Sequence, residues 1–395
     1  MKIAATITFT LLLLIVSAGV FIFWGLEPIP EPEPIRAELF DQSYAQIADE
    51  AALIVSNARA ELHAPSLSVA VARNGQLLWS AAMGWQNIQQ AIPATTKTRY
   101  RVGSTSKTIT ATVLARLVDK GLIALDQPIQ SYAPDILPKW SMLTPRQLMS
   151  HTAGIVGYDE NRDIQGIYQT LRLHQHYSDV ADTLVTIDDS DLMFPPGEQF
   201  SYSSFDVNLM SVVMQKATGI PFRQLVVQEV TGPLSLKDTY GDDPARRDQF
   251  EATFYELIEG EVKPWRNVDL SVKLAGGGFV SRPTDLVLLA SAWLDDKFIS
   301  GDTRAEFWTP QQLNNGQVNN QNYALGWRSD DREINGIVHQ RVHHGGVAKG
   351  SMNWLVLYPE SGLAVNMSIN TVVESFSDFA AFEKVLTALF ISGGE

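Results

Sequence analysis

Ser104 stands three residues before Lys107 in the run Arg101-Val-Gly-Ser104-Thr-Ser-Lys107-Thr-Ile. On a helix, positions i and i+3 are surface neighbours, so the lysine amine reaches the serine hydroxyl. A serine is a weak nucleophile until a base beside it takes its proton. A helix N-terminus adds free N–H donors and partial positive charge, which suit a developing oxyanion. The same spacing also fits a helix-capping serine beside a solvated lysine. The rest of the chain must decide between the two.

Two further groups bear on that choice. Tyr202 lies in Pro195-Pro-Gly-Glu-Gln-Phe200-Ser-Tyr202-Ser-Ser204, ahead of an apolar helical run. A loop tyrosine is commonly just packed, but a phenol near a lysine can be lowered in pKa and shuttle protons. Further on comes Val342-His343-His344-Gly345-Gly346. Paired glycines let a backbone approach a substrate closely. The Gly346 amide is then a candidate oxyanion donor beside that of Ser104. Neighbouring histidines on a strand point to opposite faces and chelate one ion poorly. No metal or other cofactor is expected. No Gly-x-Ser-x-Gly elbow, His-Glu-x-x-His or phosphate-binding Gly-x-x-x-x-Gly-Lys is present.

The elements that must hold these groups are partly readable. Apolar spacing predicts a helix within Phe40 to Glu61. Leu67–Ala72 and Gln76–Ser80 flank Asn74-Gly75, a hairpin signal. A second hairpin is predicted from Trp354–Tyr358 and Leu363–Ile369, followed by an amphipathic helix over Phe379–Phe390. Behind Ser104, residues Ile109, Val113, Leu114, Leu117 and Val118 form a helical stripe that Gly121 ends. The pattern predicts an α+β fold. Its antiparallel sheet comes from about 37–100 and 270–395, flanked by terminal helices, with a mostly helical region inserted at about 104–265.

The chain has 395 residues, 45% of them apolar, and a net charge of −14. That acidity excludes nucleic acid as an expected partner, since phosphate contacts need clustered Lys and Arg. With no cysteine, disulfides, thiol nucleophiles and lipid-modified cysteines are excluded. Ile3 to Leu26 carries no charge; as a helix it would run about 36 Å, enough to span a bilayer core. Residues 1–26 are expected to be a transmembrane anchor, or else a signal peptide cut near Val16-Ser-Ala18. Lys2 before it and Glu27, Glu31 and Glu33 after it predict an extracytoplasmic body, periplasmic or extracellular. Residues 27–36, rich in Pro and Glu, read as a semi-rigid linker, leaving 37–395 as the folded domain.

The motifs together resemble the serine β-lactamase and penicillin-binding-protein superfamily. The branch in question includes class C β-lactamases, D-alanyl-D-alanine carboxypeptidases, related esterases, D-aminopeptidases and LACTB-like proteins. Val102-Gly-Ser104-Thr-Ser-Lys107 matches the nucleophile motif, and Gln147-Leu-Met-Ser-His151-Thr-Ala-Gly154 matches Leu-Leu-x-His-Thr-Ser-Gly. Tyr202-Ser-Ser204 stands where Tyr-x-Asn would be. Ala275-Gly-Gly-Gly-Phe-Val-Ser281 matches a glycine-rich turn, and His343-His344-Gly345 replaces Lys-Thr/Ser-Gly.

The resemblance implies a β-lactamase-like fold and a serine hydrolase with Ser104, Lys107 and Tyr202 as catalytic residues. It makes Ser204, His343, Gly345 and Gly346 the substrate and oxyanion contacts. The implied partner is a small molecule or peptide with a scissile amide, ester or β-lactam. With no glutamate-bearing deacylation loop recognisable, Tyr202 becomes the base for water. His343 in place of lysine removes a permanent positive partner for substrate carboxylates, so neutral acyl substrates are expected to be preferred. Two alternatives fit the resemblance: a membrane-tethered sensor that acylates without turnover, and a filament-forming structural protein.

Overall fold

The computed structural model describes residues 25–157, 175–187, 191–265 and 268–393. Its main sheet is antiparallel and built from β1 (Arg36–Leu39), β2 (Ser66–Arg73), β3 (Gln76–Asn87), β4 (Arg328–Ile334), β5 (Ile337–Ala348), β6 (Ser351–Tyr358) and β7 (Leu363–Ile369). In space the order is β4-β5-β6-β7-β2-β3-β1. The two ends of the chain meet where β7 pairs with β2, Val365 opposite Val71. The helices that matter for the site are α1 (Ala45–Glu61), α2 (Ser106–Asp119), α3 (Ser204–Thr218), α4 (Pro283–Ala292) and α5 (Phe376–Ser392).

Local rules explain most of these elements. Asn74 and Gly75 have φ of 50° and 80°, the paired positive values that a two-residue hairpin turn demands. Helix α3 starts on the Ser203 side chain, which accepts from the Phe205 N–H, and stops at Gly219 with φ 69°. Successive strand residues serve opposite faces. Val69 and Val71 join one apolar cluster with Ala51 and Val55 of α1 and Phe379 and Leu386 of α5. Ala70 and Ala72 join another with Ile109 and Val113 of α2 and Leu286 and Val287 of α4. The sheet is thus covered on both faces. Each fully buried Val, Leu or Phe contributes about 1.5–3 kcal/mol, so the terminal helices are held by their stripes rather than by propensity.

Two expectations change, and a third falls almost wholly outside the described residues. First, the inserted region, expected to be mostly helical, also carries short strands. Tyr255–Ile258 pairs with Glu261–Pro264 through Glu259 and Gly260, with φ of 50° and 87°. Tyr240–Gly241 pairs with Phe279–Ser281. The alternation of Tyr255 and Leu257 around a tight turn is a strand signal that the helical reading passed over. Second, residues 27–36 are no free spacer. Glu27 pairs with Val262 and Pro28 with Glu261, and Trp85 Nε1 donates to the Pro30 carbonyl at 3.1 Å. Third, the expected anchor over 1–26 lies outside the described residues save for its last two. Among the described residues, no helix is long and apolar enough to cross a membrane.

Candidate active site

The nucleophile candidate sits on a tight turn, Gly103–Thr105, that feeds directly into α2. Gly103 has φ 51°, and a Cβ there would lie 2.6 Å from the Val347 backbone. Gly346 is more tightly placed: a Cβ would fall 1.9 Å from the Val102 carbonyl and 2.9 Å from the Ser104 nitrogen. Two backbones therefore press together at Ser104 with no room for side chains. The Thr105 hydroxyl donates across the seam to the His344 carbonyl at 3.3 Å.

Lys107 is wholly buried. Its ammonium nitrogen donates to Ser104 Oγ at 3.2 Å, Ser204 Oγ at 3.1 Å and the Gly276 carbonyl at 2.6 Å. Burial first and the charge of Arg328 second lower its pKa to about 7, against the opposing charge of Asp206. The spacing that placed Lys107 beside Ser104 in the sequence is thus realised in space. The third partner comes from the glycine-rich turn. Gly276 holds its amide on Asn208 Oδ1 at 3.1 Å, and a Cβ there would meet the Ser204 carbonyl at 2.9 Å.

Tyr202 also reaches Ser104 by a side-chain hydrogen bond. The Lys107 nitrogen lies 4.7 Å from the centre of its ring. The expected lowering of the phenol is reversed. Burial pushes it up to about 12, and the bond to Ser104 and the charge of Arg328 only partly offset this. A neighbouring cation favours phenolate, but desolvation of the anion is the larger effect.

The two histidines part as strand neighbours must. His344 is buried, with Nε2 2.9 Å from the Tyr323 hydroxyl and Nδ1 2.7 Å from the Gly345 carbonyl. The carbonyl accepts only, so Nδ1 carries the proton and Nε2 accepts from Tyr323. His343 turns the other way. It packs 4.8 Å from the Trp354 ring, with Nε2 3.3 Å from Asp330 Oδ2. Burial pushes His343 down to about 4 and His344 well below its ordinary value. Both are neutral near pH 7.

Ser104, Tyr202, His343, His344 and Gly345 line one cleft of about 620 Å³. Ser204 touches Lys107 at its back. Three contributors, Arg328, Tyr323 and Asp206, had no readable signal. Arg328 follows a tryptophan in a strand with no distinctive spacing, yet it lies 5.6 Å and 5.0 Å from the Tyr202 and Tyr323 ring centres. His151 belongs to a noted motif, but its partner was not foreseen: Nδ1 is 2.9 Å from Asp206 Oδ2. Burial raises the Asp206 carboxyl and lowers the His151 imidazole. Both shifts weaken the charged forms of the pair, and the His151 ring is wedged 4.3 Å from the Tyr202 ring.

The human mitochondrial serine beta-lactamase-like protein LACTB is 23% identical, over 80% of this chain and 73% of its own length. A D-stereospecific amidohydrolase from Streptomyces sp. superposes with a TM-score of 0.68 at 23% identity, covering 83% of this chain and 97% of its own. D-amino acid amidase from Ochrobactrum anthropi SV3 gives 0.71 at 21% identity, covering 87% and 99%. The membrane-anchored, extracytoplasmic placement expected from the N-terminal run is corrected on two findings. The curated relative above is mitochondrial by name, and no described helix is long and apolar enough to cross a membrane. A family model described as Beta-lactamase matches residues 51–389, and the chain belongs to that family, within the serine β-lactamase and penicillin-binding-protein superfamily.

Proposed function

We propose that this chain is a serine hydrolase that cleaves an amide or ester through an acyl-enzyme on Ser104. The observation that carries this is Lys107: a wholly buried amine with pKa lowered to about 7, 3.2 Å from Ser104 Oγ. As an ammonium it donates to three oxygens. As a neutral amine it keeps two of those bonds and turns its lone pair to the Ser104 proton. Ser104 Oγ then attacks the acyl carbon, and its proton passes to Lys107 directly or through the Tyr202 hydroxyl. The amides of Ser104 and Gly346 receive the oxyanion. The proton moves on to the leaving nitrogen or oxygen, the scissile bond breaks, and an ester remains on Ser104. Water attacks that ester, gives its proton to Lys107, and the freed Ser104 oxygen takes a proton back. With its phenol pushed up to about 12, Tyr202 acts as a neutral relay rather than as the base.

Intact-mass measurement of the protein after incubation with penicillins, aryl esters and D-amino-acid amides tests the reading. At least one compound is expected to add its acyl mass to the peptide holding Ser104. No adduct from any class, with no substrate consumed, would reject it. The amidase neighbours are the reason for including D-amino-acid amides.

Gly346→Ala tests the seam beside the nucleophile. The new methyl meets the Val102 carbonyl at 1.9 Å, so β5 must move away from Ser104. Removing one oxyanion donor costs about 10²–10³ in rate, and crowding costs about 1–3 kcal/mol of stability. Acylation by an activated ester should fall by at least about 10²-fold, with a lower thermal midpoint. An unchanged acylation rate would show that Gly346 takes no part.

A further inference from the structure

The catalytic cleft is lined by three arginines, Arg328, Arg332 and Arg341. Arg341 is spoken for: it holds Asp330 with two bonds, at 2.9 and 2.8 Å. Arg328 and Arg332 have no carboxylate partner among the described residues. Arg328 donates to the neutral Gln321 Oε1 at 2.6 Å, and Arg332 leaves its buried Nε without a partner. Both lie on β4 with Asp330 between them, so strand alternation puts them on one face. On a chain of net charge −14, two such guanidinium groups beside a reactive serine are out of keeping with their surroundings. The cleft lining also has an apolar part, with Trp354, Phe376 and Ala380. Phe376 begins the 17-residue helix α5, whose N-terminal turn adds partial positive charge on that side.

Resting on the hydrolase reading above, we propose that Arg328 and Arg332 seat a carboxylate of the acyl substrate, whose apolar portion lies against Trp354 and Phe376. The guanidinium fork matches a carboxylate in two parallel bonds and stays charged at any working pH. This subsite lies outside the Ser-x-x-Lys, Tyr-x-Ser and His-His-Gly positions. It reverses the expected preference for neutral acyl substrates. That expectation counted only His343, which is neutral and turned onto Trp354. The neighbouring strand supplies the missing cation instead.

The test uses the full chain and two aryl esters that differ at one group, 3-(phenylacetyloxy)benzoate and 3-(phenylacetyloxy)benzamide. Second-order acylation constants are measured at about pH 8 and low salt, each divided by that ester's own hydroxide rate. The benzoate is expected to be preferred about tenfold or more, equivalent to roughly 1.4 kcal/mol. Arg328→Gln with Arg332→Gln should bring the ratio close to one, and Arg328→Lys alone should retain part of the preference. Both esters share Ser104 and Lys107, so any effect of Arg328 on the lysine cancels in the ratio. A wild-type ratio near one, or a preference that survives the double substitution, overturns the carboxylate seat while leaving the hydrolase reading intact. Failure of both esters to acylate Ser104 also overturns the seat as proposed, while the hydrolase reading falls only if penicillins and D-amino-acid amides leave no adduct either.

Discussion

Ser104→Ala is expected to abolish covalent labelling by a fluorophosphonate and to remove hydrolysis of any substrate the wild type accepts. Loss of a serine nucleophile costs up to about six orders of magnitude in a related chemistry, so the residual rate should be at the detection limit. Stability should hardly change. Ser104 is only half-buried at the cleft wall, and water can take the place of its hydroxyl on Lys107. A shift in thermal midpoint within about 2 °C is expected, the scale of a change under 1 kcal/mol. Equal labelling of mutant and wild type would remove Ser104 from the mechanism.

Lys107→Met should slow acylation by about two or more orders of magnitude, the range for loss of a general base. It should also change how stability depends on pH. The amine titrates near 7 in the folded protein and near 10.5 when unfolded. Between those values the unfolded state binds more protons, so the wild type gains stability as pH rises from about 7 toward 10.5. Below 7 the penalty of burying the charge is present in full. At roughly 1.4 kcal/mol per pKa unit it amounts to a few kcal/mol. Removing the amine also strands the Gly276 carbonyl, a cost of about 1–3 kcal/mol that partly cancels the gain at neutral pH. The informative quantity is therefore the difference in thermal midpoint between mutant and wild type, followed from pH 7 to 10. It should move steadily in favour of the wild type. Parallel curves, or wild-type acylation that shows no inflection near pH 7, would mean that Lys107 keeps an ordinary lysine pKa.

What was legible in the sequence was local. The Asn74-Gly75 turn, the Gly121 stop and the i, i+3 step from Ser104 to Lys107 each depend on residues a few positions apart. The family motifs added the order in which distant segments join the site. Interactions between distant segments stayed hidden. Gly276, 169 positions from Lys107, holds the lysine through a carbonyl, which no side-chain pattern reports. Arg328 comes to lie 5.6 Å from the Tyr202 ring centre where it bridges to Tyr323 at the edge of the sheet. The direction of the Tyr202 shift was misjudged for the same reason. A sequence shows that a lysine is near, but how dry the phenol becomes depends on His151, Tyr323 and Arg328 closing around it.

The two rims of the main sheet share a property. One rim is β4, Arg-Ser-Asp-Asp-Arg-Glu-Ile, and the other is β1, Arg-Ala-Glu-Leu. An outermost strand offers unpaired N–H and C=O groups on which another chain can add a strand, and charge or shortness discourages this. Both rims carry charges of both signs, and β1 is only four residues long. Lateral growth of the sheet is therefore discouraged at each side by charges that an incoming strand would have to desolvate. On β4 two of those charges, Arg328 and Arg332, also face the catalytic cleft. The charged outer strand that discourages strand addition is thus also the one that the proposed carboxylate seat draws on.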